Sequence, residues 1–319
     1  MRLLTVLFLS MLILAATPPK LGVQTPGVLI SAAGLKAEAE LATPAHPAWI
    51  ALAGTVVLPG AAGLDRIDPK AKEAKLQDPI ADIAKPCGGA VSAFDSLWPP
   101  SCGESALIRI DPKSGKVTTK LAVGAGPIAA TPDSIWMQAD GKTTLVRIDP
   151  KSNEVVSDLR VPAGCTGLLF AETSLWVACP AENRVLRITP LTSLVEKSIE
   201  VAAGPHALAA SDSSIWVLCR KDGKVDRIDV KTNKVSKSID LGVPGADGGI
   251  AAGEGSVWVT LAGFPITRIN PQTDQVVQQF YGPGGGAIQA GMGFVWLSNT
   301  AAGTVWKMDA KRIAATLAE

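Results

Sequence analysis

The sequence predicts an all-β fold, a seven-bladed β-propeller with four antiparallel strands per blade. Three observations carry this. An Arg-Ile-Asp signature recurs at nearly constant spacing, a Ser-x-Trp string precedes five of the copies and Phe-Val-Trp the last, and no stretch between them has helical periodicity. The copies are DRIDPKAKEAK (65–75), IRIDPKSGKVT (108–118), VRIDPKSNEVV (146–156), LRITPLTSLVE (186–196), DRIDVKTNKVS (226–236) and TRINPQTDQVV (267–277), with a degenerate seventh, WKMDAKRIAAT (306–316). Their register residues, Arg66, Arg109, Arg147, Arg187, Arg227, Arg268 and Lys307, lie 43, 38, 40, 40, 41 and 39 residues apart. A repeat of about 40 residues overrides the two-domain division that 319 residues would otherwise suggest.

From the N-terminus, Arg2 precedes the apolar run Leu3 to Ala16, and Thr17-Pro18-Pro19-Lys20 stops it. Fourteen residues are too few for a membrane span, which needs about 20. The expectation is a signal peptide at 1–16, with retention as an anchor the alternative. Residues 17–34 hold three prolines, three glycines and one charge, and read as a linker; the propeller is assigned to 35–319.

An open ring would leave blade edges unpaired, so something must close it. KAEAELA (36–42) resembles the fourth-strand segment KSIEVA (197–202). It is expected to supply the outer strand of the last blade, beside 304–309, with a local strand from Ile313 to Leu317 as the competitor.

Within each copy the elements follow in a fixed order. A small-residue turn such as Gly126-Pro127 or Gly204-Pro205 opens the inner strand. The second strand carries the Trp (Trp98, Trp136, Trp176, Trp216, Trp258, Trp296), expected to pack between neighbouring blades. The Arg-Ile-Asp strand then ends in a tight turn whose left-handed position is filled by Gly115, Asn153, Asn233 or Asp274. Gly282 to Gly286 reads as a turn between blades, since it lacks the Lys-Ser/Thr of a phosphate loop.

These strings resemble the YncE-like, YVTN-repeat propellers of bacterial secreted proteins, over roughly residues 36–319, and more distantly the streptogramin B (virginiamycin B) lyase family. The lyase resemblance implies an inner-strand histidine after Gly-Pro and a glutamate three residues after the Trp, working with a divalent metal. Only Gly204-Pro205-His206 fits the first requirement, because His46 precedes its proline. The second positions hold Ser101, Ala139, Cys179, Cys219, Leu261 and Asn299, none of them a carboxylate. Lyase activity is therefore not carried over.

The repeat register also sorts the five cysteines. Cys87 and Cys165 begin inner strands, and Cys102 and Cys179 end second strands, so two intrablade disulfides are expected, Cys87–Cys102 and Cys165–Cys179. Such bonds suit an oxidising compartment, and the localisation expected is secreted or periplasmic. The spacings are not those of a zinc site, and no C-x-x-C-H motif for haem occurs. Cys219 lacks a partner, because Pro205 stands where one would be. Beside His206 it is either half of a nucleophile pair or an inert buried thiol.

Loops entering the inner strands and leaving the second strands should share one face around the channel. The candidate ligand residues on that face are Glu104, Asp140, Glu182, Arg184, His206, Cys219, Arg220, Asp222, Asp247 and Asn299, with Asn183 and Lys221 beside them. They carry both signs of charge and no carboxylate cluster suited to calcium or magnesium. A net charge of +1 and a single tyrosine, Tyr281, argue against nucleic acid. The function expected is a monomeric, non-catalytic propeller, without cofactor or metal, that binds a protein, peptide or small ligand on its loop face. The alternative is a lyase- or lactonase-like or quinone-dependent enzyme with a diverged site.

Overall fold

A computed structural model describes residues 21–316 apart from Pro44, Lys72 and 140–142. The expected signal peptide lies outside the described residues. Seven sheets of antiparallel strands form the seven blades of a propeller. Blade 4 shows the regular pattern: Gly167–Ala171 inside, then Ser174–Cys179, Arg184–Thr189 and Leu194–Glu200 at the rim, each paired with the next.

Local turn chemistry builds each blade. Inner hairpins turn over two residues with positive φ, as at Glu172-Thr173 (49° and 61°) and Asp212-Ser213 (49° and 54°). Turns of this mirror-image kind match the twist of the strands they join. At the hairpin between the third and fourth strands, Asn153, Asn233, Asp274 and Gly115 occupy the left-handed region as the sequence predicts, and Ser193 joins them in blade 4.

The apolar core is divided among seven clusters, and each draws on two consecutive blades. The six repeat tryptophans are fully buried, and each faces the following blade: Trp176 packs with Ile215 and Val217, and Trp216 with Val257 and Val259. Burial of a surface that large drives blade-on-blade packing.

The register arginines complete this packing. Each Nε of Arg109, Arg147, Arg187, Arg227 and Arg268 donates to the serine of its own blade's Ser-x-Trp string, at 2.7–2.9 Å. The Arg187 and Arg227 guanidiniums also lie 5.1 and 4.9 Å from the ring centroids of Trp176 and Trp216. Their Nη1 groups reach the next blade's turn, donating to the Val230 carbonyl and Asn233 Oδ1, and to the Pro271 carbonyl and Asp274 Oδ1. Lys307 takes the role across the ring closure, with its Nζ 2.8 Å from the Pro69 carbonyl of blade 1.

Ring closure is made by the N-terminal strand Ala39–Ala42, antiparallel to Thr304–Asp309, with Leu41 opposite Val305. Among the described residues the competing local strand does not form. Residues Ala310–Ala315 are an α-helix, capped by Asp309 Oδ1 accepting from the Lys311 and Arg312 amides. The degenerate copy has lost the turn residues, and Ala-Lys-Arg-Ile-Ala-Ala favours helix.

The segment expected as a linker departs from that expectation. Leu29–Ser31 adds a fifth strand to blade 6, parallel to Gln275–Tyr281. The fully buried Gln279 explains its attachment: the side-chain oxygen accepts from the Val23 amide and its nitrogen donates to the Leu241 carbonyl. Without residue 23 that oxygen would be a buried, unpaired acceptor. Ile30, buried, adds the apolar part of the contact.

Candidate functional site at the channel mouth

Inner strands begin around the channel in small residues, and this leaves room. A cavity of 710 Å³ opens there, walled by Gly88, Pro127, Gly167, Gly249 and Ala287 among others. Branched apolar side chains such as Leu168, Leu208 and Ile250 share the wall, and the charged, aromatic and imidazole groups are Trp49, His46 and Lys85 from one side and His206 and Arg220 from the other.

His206 reaches the channel through a β-bulge. Pro205 pairs with Cys219 and Ala207 with Leu218, so His206 is the extra residue between them. A bulge of this kind re-aims a side chain that regular alternation would direct elsewhere. Its backbone is fixed to blade 4, where Thr166 Oγ1 donates to the His206 carbonyl at 3.1 Å. Gly167 permits that contact, since a Cβ there would lie 2.8 Å from the same carbonyl oxygen.

Arg220 follows at the end of the second strand. Its Nη1 lies 3.1 Å from Asp247 Oδ1, and its Nη2 donates to the Gly248 carbonyl, so it bridges blades 5 and 6. Burial pushes the His206 imidazole down to about 4, with Arg220 adding to the shift and Asp247 opposing it. Burial also lowers the Arg220 guanidinium from its ordinary value, again against Asp247. At neutral pH the pair presents one neutral ring and one cation to the cavity.

His206, Arg220 and Asp247 are thus the candidate residues that the fold brings together. Asp222 stands on the same rim, but its Oδ2 accepts from the Ala203 amide at 2.8 Å. Asn183 Oδ1 likewise caps the Gly204 amide. Arg184 lies on the third strand and pairs with exposed Glu200 at 3.1 Å. Glu182 is an exposed loop residue and Asp140 lies outside the described residues. Glu104 faces away from the mouth, paired with Lys120 at 2.6 Å, and that hydrogen bond holds its carboxyl below the usual range.

Two candidates are corrected. Asn299, only 2% exposed, is not displayed to a ligand; its Oδ1 accepts from the Gly285 amide and fixes the glycine turn of 282–286. Cys219 is fully buried among Trp176, Ile199 and Val217 between blades 4 and 5. Burial pushes its thiol well up, and Asp226 and Asp222 push it further. A thiol so placed is a packing residue, and the nucleophile pair with His206 is not formed.

Both expected disulfides are present, with Cα–Cα distances of 5.8 Å for Cys87–Cys102 and 4.0 Å for Cys165–Cys179. The first is positioned beside the mouth, where Cys87 lines the cavity.

The Arg-Ile-Asp ruler does not single out Trp49, Lys85 and His46 as site residues. Their signal was positional: each stands just before or within the opening of an inner strand. The Trp49 Nε1 donates to the Pro86 carbonyl at 3.4 Å, joining blade 1 to blade 2 at the mouth. His46 is committed to ring closure, with its Nδ1 2.8 Å from the Thr300 carbonyl oxygen.

Among the described residues no group of three or more His, Cys, Asp or Glu is placed to hold a metal ion, and no helix is long and apolar enough to cross a membrane. No family model matches the chain, and no curated protein matches it. Solved structures do. The chain is similar to virginiamycin B lyase from Staphylococcus aureus (16% identity, TM-score 0.68, 84% of this chain and 97% of that one). It is similar to BamB from Moraxella catarrhalis (15%, 0.59, 89% and 84%). It is also similar to a chain of the mitotic checkpoint complex (10%, 0.73, 86% and 94%). At these identities the likeness is one of fold, and it places the chain among the β-propeller proteins.

Proposed function

We propose that this chain is a secreted or periplasmic, non-catalytic propeller of the YncE-like kind, which binds a protein, peptide or small ligand at the mouth of its channel. The observation that carries the reading is the 710 Å³ cavity, whose wall combines glycine, alanine and branched apolar residues with a few polar groups. A concave site of this size with a few fixed polar groups is the usual form of a ligand pocket. Two disulfides support a compartment outside the cytoplasm. A propeller of the same fold occurs within a multiprotein complex, which supports the protein-binding form of the reading.

Catalysis would need ionisable groups in mutual reach of a substrate. Among the described residues His206 has only Arg220 and, behind it, Asp247, and the Cys219 thiol is directed into the core. The alternative of a lyase-like, lactonase-like or quinone-dependent enzyme therefore rests on shared fold alone.

The test is to fill the mouth. A Cβ at Gly249 meets only ordinary contacts, the nearest at 3.5 Å, so Gly249→Phe can be accommodated. Compounds and peptides that raise the melting temperature of the wild-type chain are expected to lose that effect in G249F, and to be recovered unchanged after incubation. Ligands that stabilise both proteins equally, or that are consumed, would sink the proposal.

A further inference from the structure

We infer that the channel mouth is a carboxylate-binding site, in which Arg220 receives the acid group of a ligand whose apolar body lies against Trp49 and the small-residue wall. This inference rests on the mouth being the functional site and adds the chemistry of what enters it.

Charge is the first argument. Among the described residues lining the cavity the charged side chains are Lys85 and Arg220, and no Asp or Glu is one of them. Lys85 enters from blade 2 and Arg220 from blade 5, so cations approach from separate parts of the ring. The chain as a whole carries only +1, and the sign of the mouth is therefore a local property. An anion entering between them meets attraction on both sides and no described carboxylate on the wall.

The state of Arg220 is the second argument. Its side chain is 25% exposed, while that of its partner Asp247 is 92% exposed. A pair so lopsided is held weakly on the acid's side, because water competes fully for Asp247. The guanidinium is also incompletely satisfied: its Nε is buried without a hydrogen-bond partner. A guanidinium with donors to spare, held in place by the Gly248 carbonyl, is suited to the planar, paired acceptors of a carboxylate. A ligand acid can take the place of Asp247, which then turns to solvent at little cost.

The remaining wall sets the rest of the ligand. Trp49 offers an aromatic surface, and Gly88, Gly167 and Gly249 bring backbone to the cavity. His206 adds a hydrogen-bonding ring that carries no charge at neutral pH. A free aromatic acid and the carboxy terminus of a peptide share the required chemistry.

Both sources can be tested on the intact chain with 3-phenylpropanoate and N-acetylphenylalanine, each beside its primary amide, using saturation-transfer NMR and titration. Acids are expected to bind about tenfold more tightly than their amides. Arg220→Gln should reduce that ratio to about twofold or less, whereas Asp247→Asn should tighten the acids by about two- to fivefold by removing the competing carboxylate. Arg184→Gln, on the third strand of blade 4 and paired with Glu200, should change neither. Tighter binding of the acetylated amino acid assigns the site to peptide termini, and tighter binding of the simple acid assigns it to small organic acids.

Acids and amides that bind alike, but are both excluded by G249F, overturn the carboxylate inference and leave the mouth reading standing. Binding that persists in G249F overturns the mouth reading itself, and failure of all four probes to bind overturns the inference. If R220Q melts below the assay temperature, the D247N titration decides, and unchanged acid affinity there counts against Arg220.

Discussion

Arg187 and Asn233 meet across the boundary between blades 4 and 5, with the guanidinium Nη1 donating to the amide oxygen at 2.8 Å. The same arginine caps its own blade's Trp176 and Ser174. One side chain thus fastens a blade to itself and to its neighbour. Arg187→Met is expected to lose about 1.5–3 kcal/mol in urea unfolding, the usual worth of hydrogen bonds to a charged group. Asn233→Gly keeps the left-handed turn at φ 55° while removing the acceptor. In the double mutant the losses should fall short of additivity by about 0.5 kcal/mol or more. Full additivity would show that the two residues stabilise independently.

Reduction should separate the two disulfides. Cys165 and Cys179 are 2% and 1% exposed, whereas Cys102 is exposed. Under native conditions dithiothreitol is expected to open Cys87–Cys102 first, as read by mass spectrometry of alkylated peptides. Replacing the Cys165–Cys179 pair by serines removes a cross-link of sequence separation 14, with an expected loss of about 3 kcal/mol.

Cys219 should be silent in the folded chain. Its thiol is wholly buried, so a disulfide-exchange reagent is expected to find no free thiol under native conditions and one after unfolding without reductant. Rapid labelling of the native protein would show that the boundary between blades 4 and 5 opens.

His206 predicts an acid-side loss of stability. Its folded value of about 4 lies below the ordinary 6.5, so the unfolded chain takes up the proton first. The stabilisation is complete above pH 6.5 and is lost progressively as the pH falls to about 4. At about 1.4 kcal/mol per unit the loss is at most about 3.5 kcal/mol. His206→Gln should flatten that part of the pH profile in urea titrations, and an unchanged slope would assign it to the carboxylates.

The two N-terminal strands should prove unequal. A chain beginning after residue 34 keeps the ring-closing strand Ala39–Ala42 and is expected to remain a folded monomer of reduced stability, with blade 6 missing its added strand. A chain beginning after residue 43 exposes the edge of Thr304–Asp309 and should self-associate in size-exclusion chromatography. Equal behaviour of the two would show that closure does not depend on 39–42.

The blade count, the closing strand and the disulfides were legible because each depends on a spacing, and spacing survives in a linear sequence. The buried face of each Trp was legible for the same reason. What the register could not show was where side chains go once strands curve. Cys219 and His206 are neighbours by register, yet the bulge at His206 turns one to the channel and leaves the other in the core. Asn299 looked like a rim residue, but its amide is consumed by a glycine turn that it must brace. Composition reads 17–34 as a linker and could not disclose Gln279, a buried amide some 250 residues away whose oxygen accepts from the Val23 amide. Lys85 and Trp49 lie in the least regular copies, where the ruler is weakest.

The pairing of Leu41 with Val305 also sets a timetable. The closing strand and its partner are separated by most of the propeller, so the ring cannot shut until both have been made. Until then the first strand is a loose end, and the first and last blades each present an uncovered flank. Closure at so great a sequence distance is intrinsically slow. The ring thus remains open, and able to thread, until the strand Thr304–Asp309 has been made.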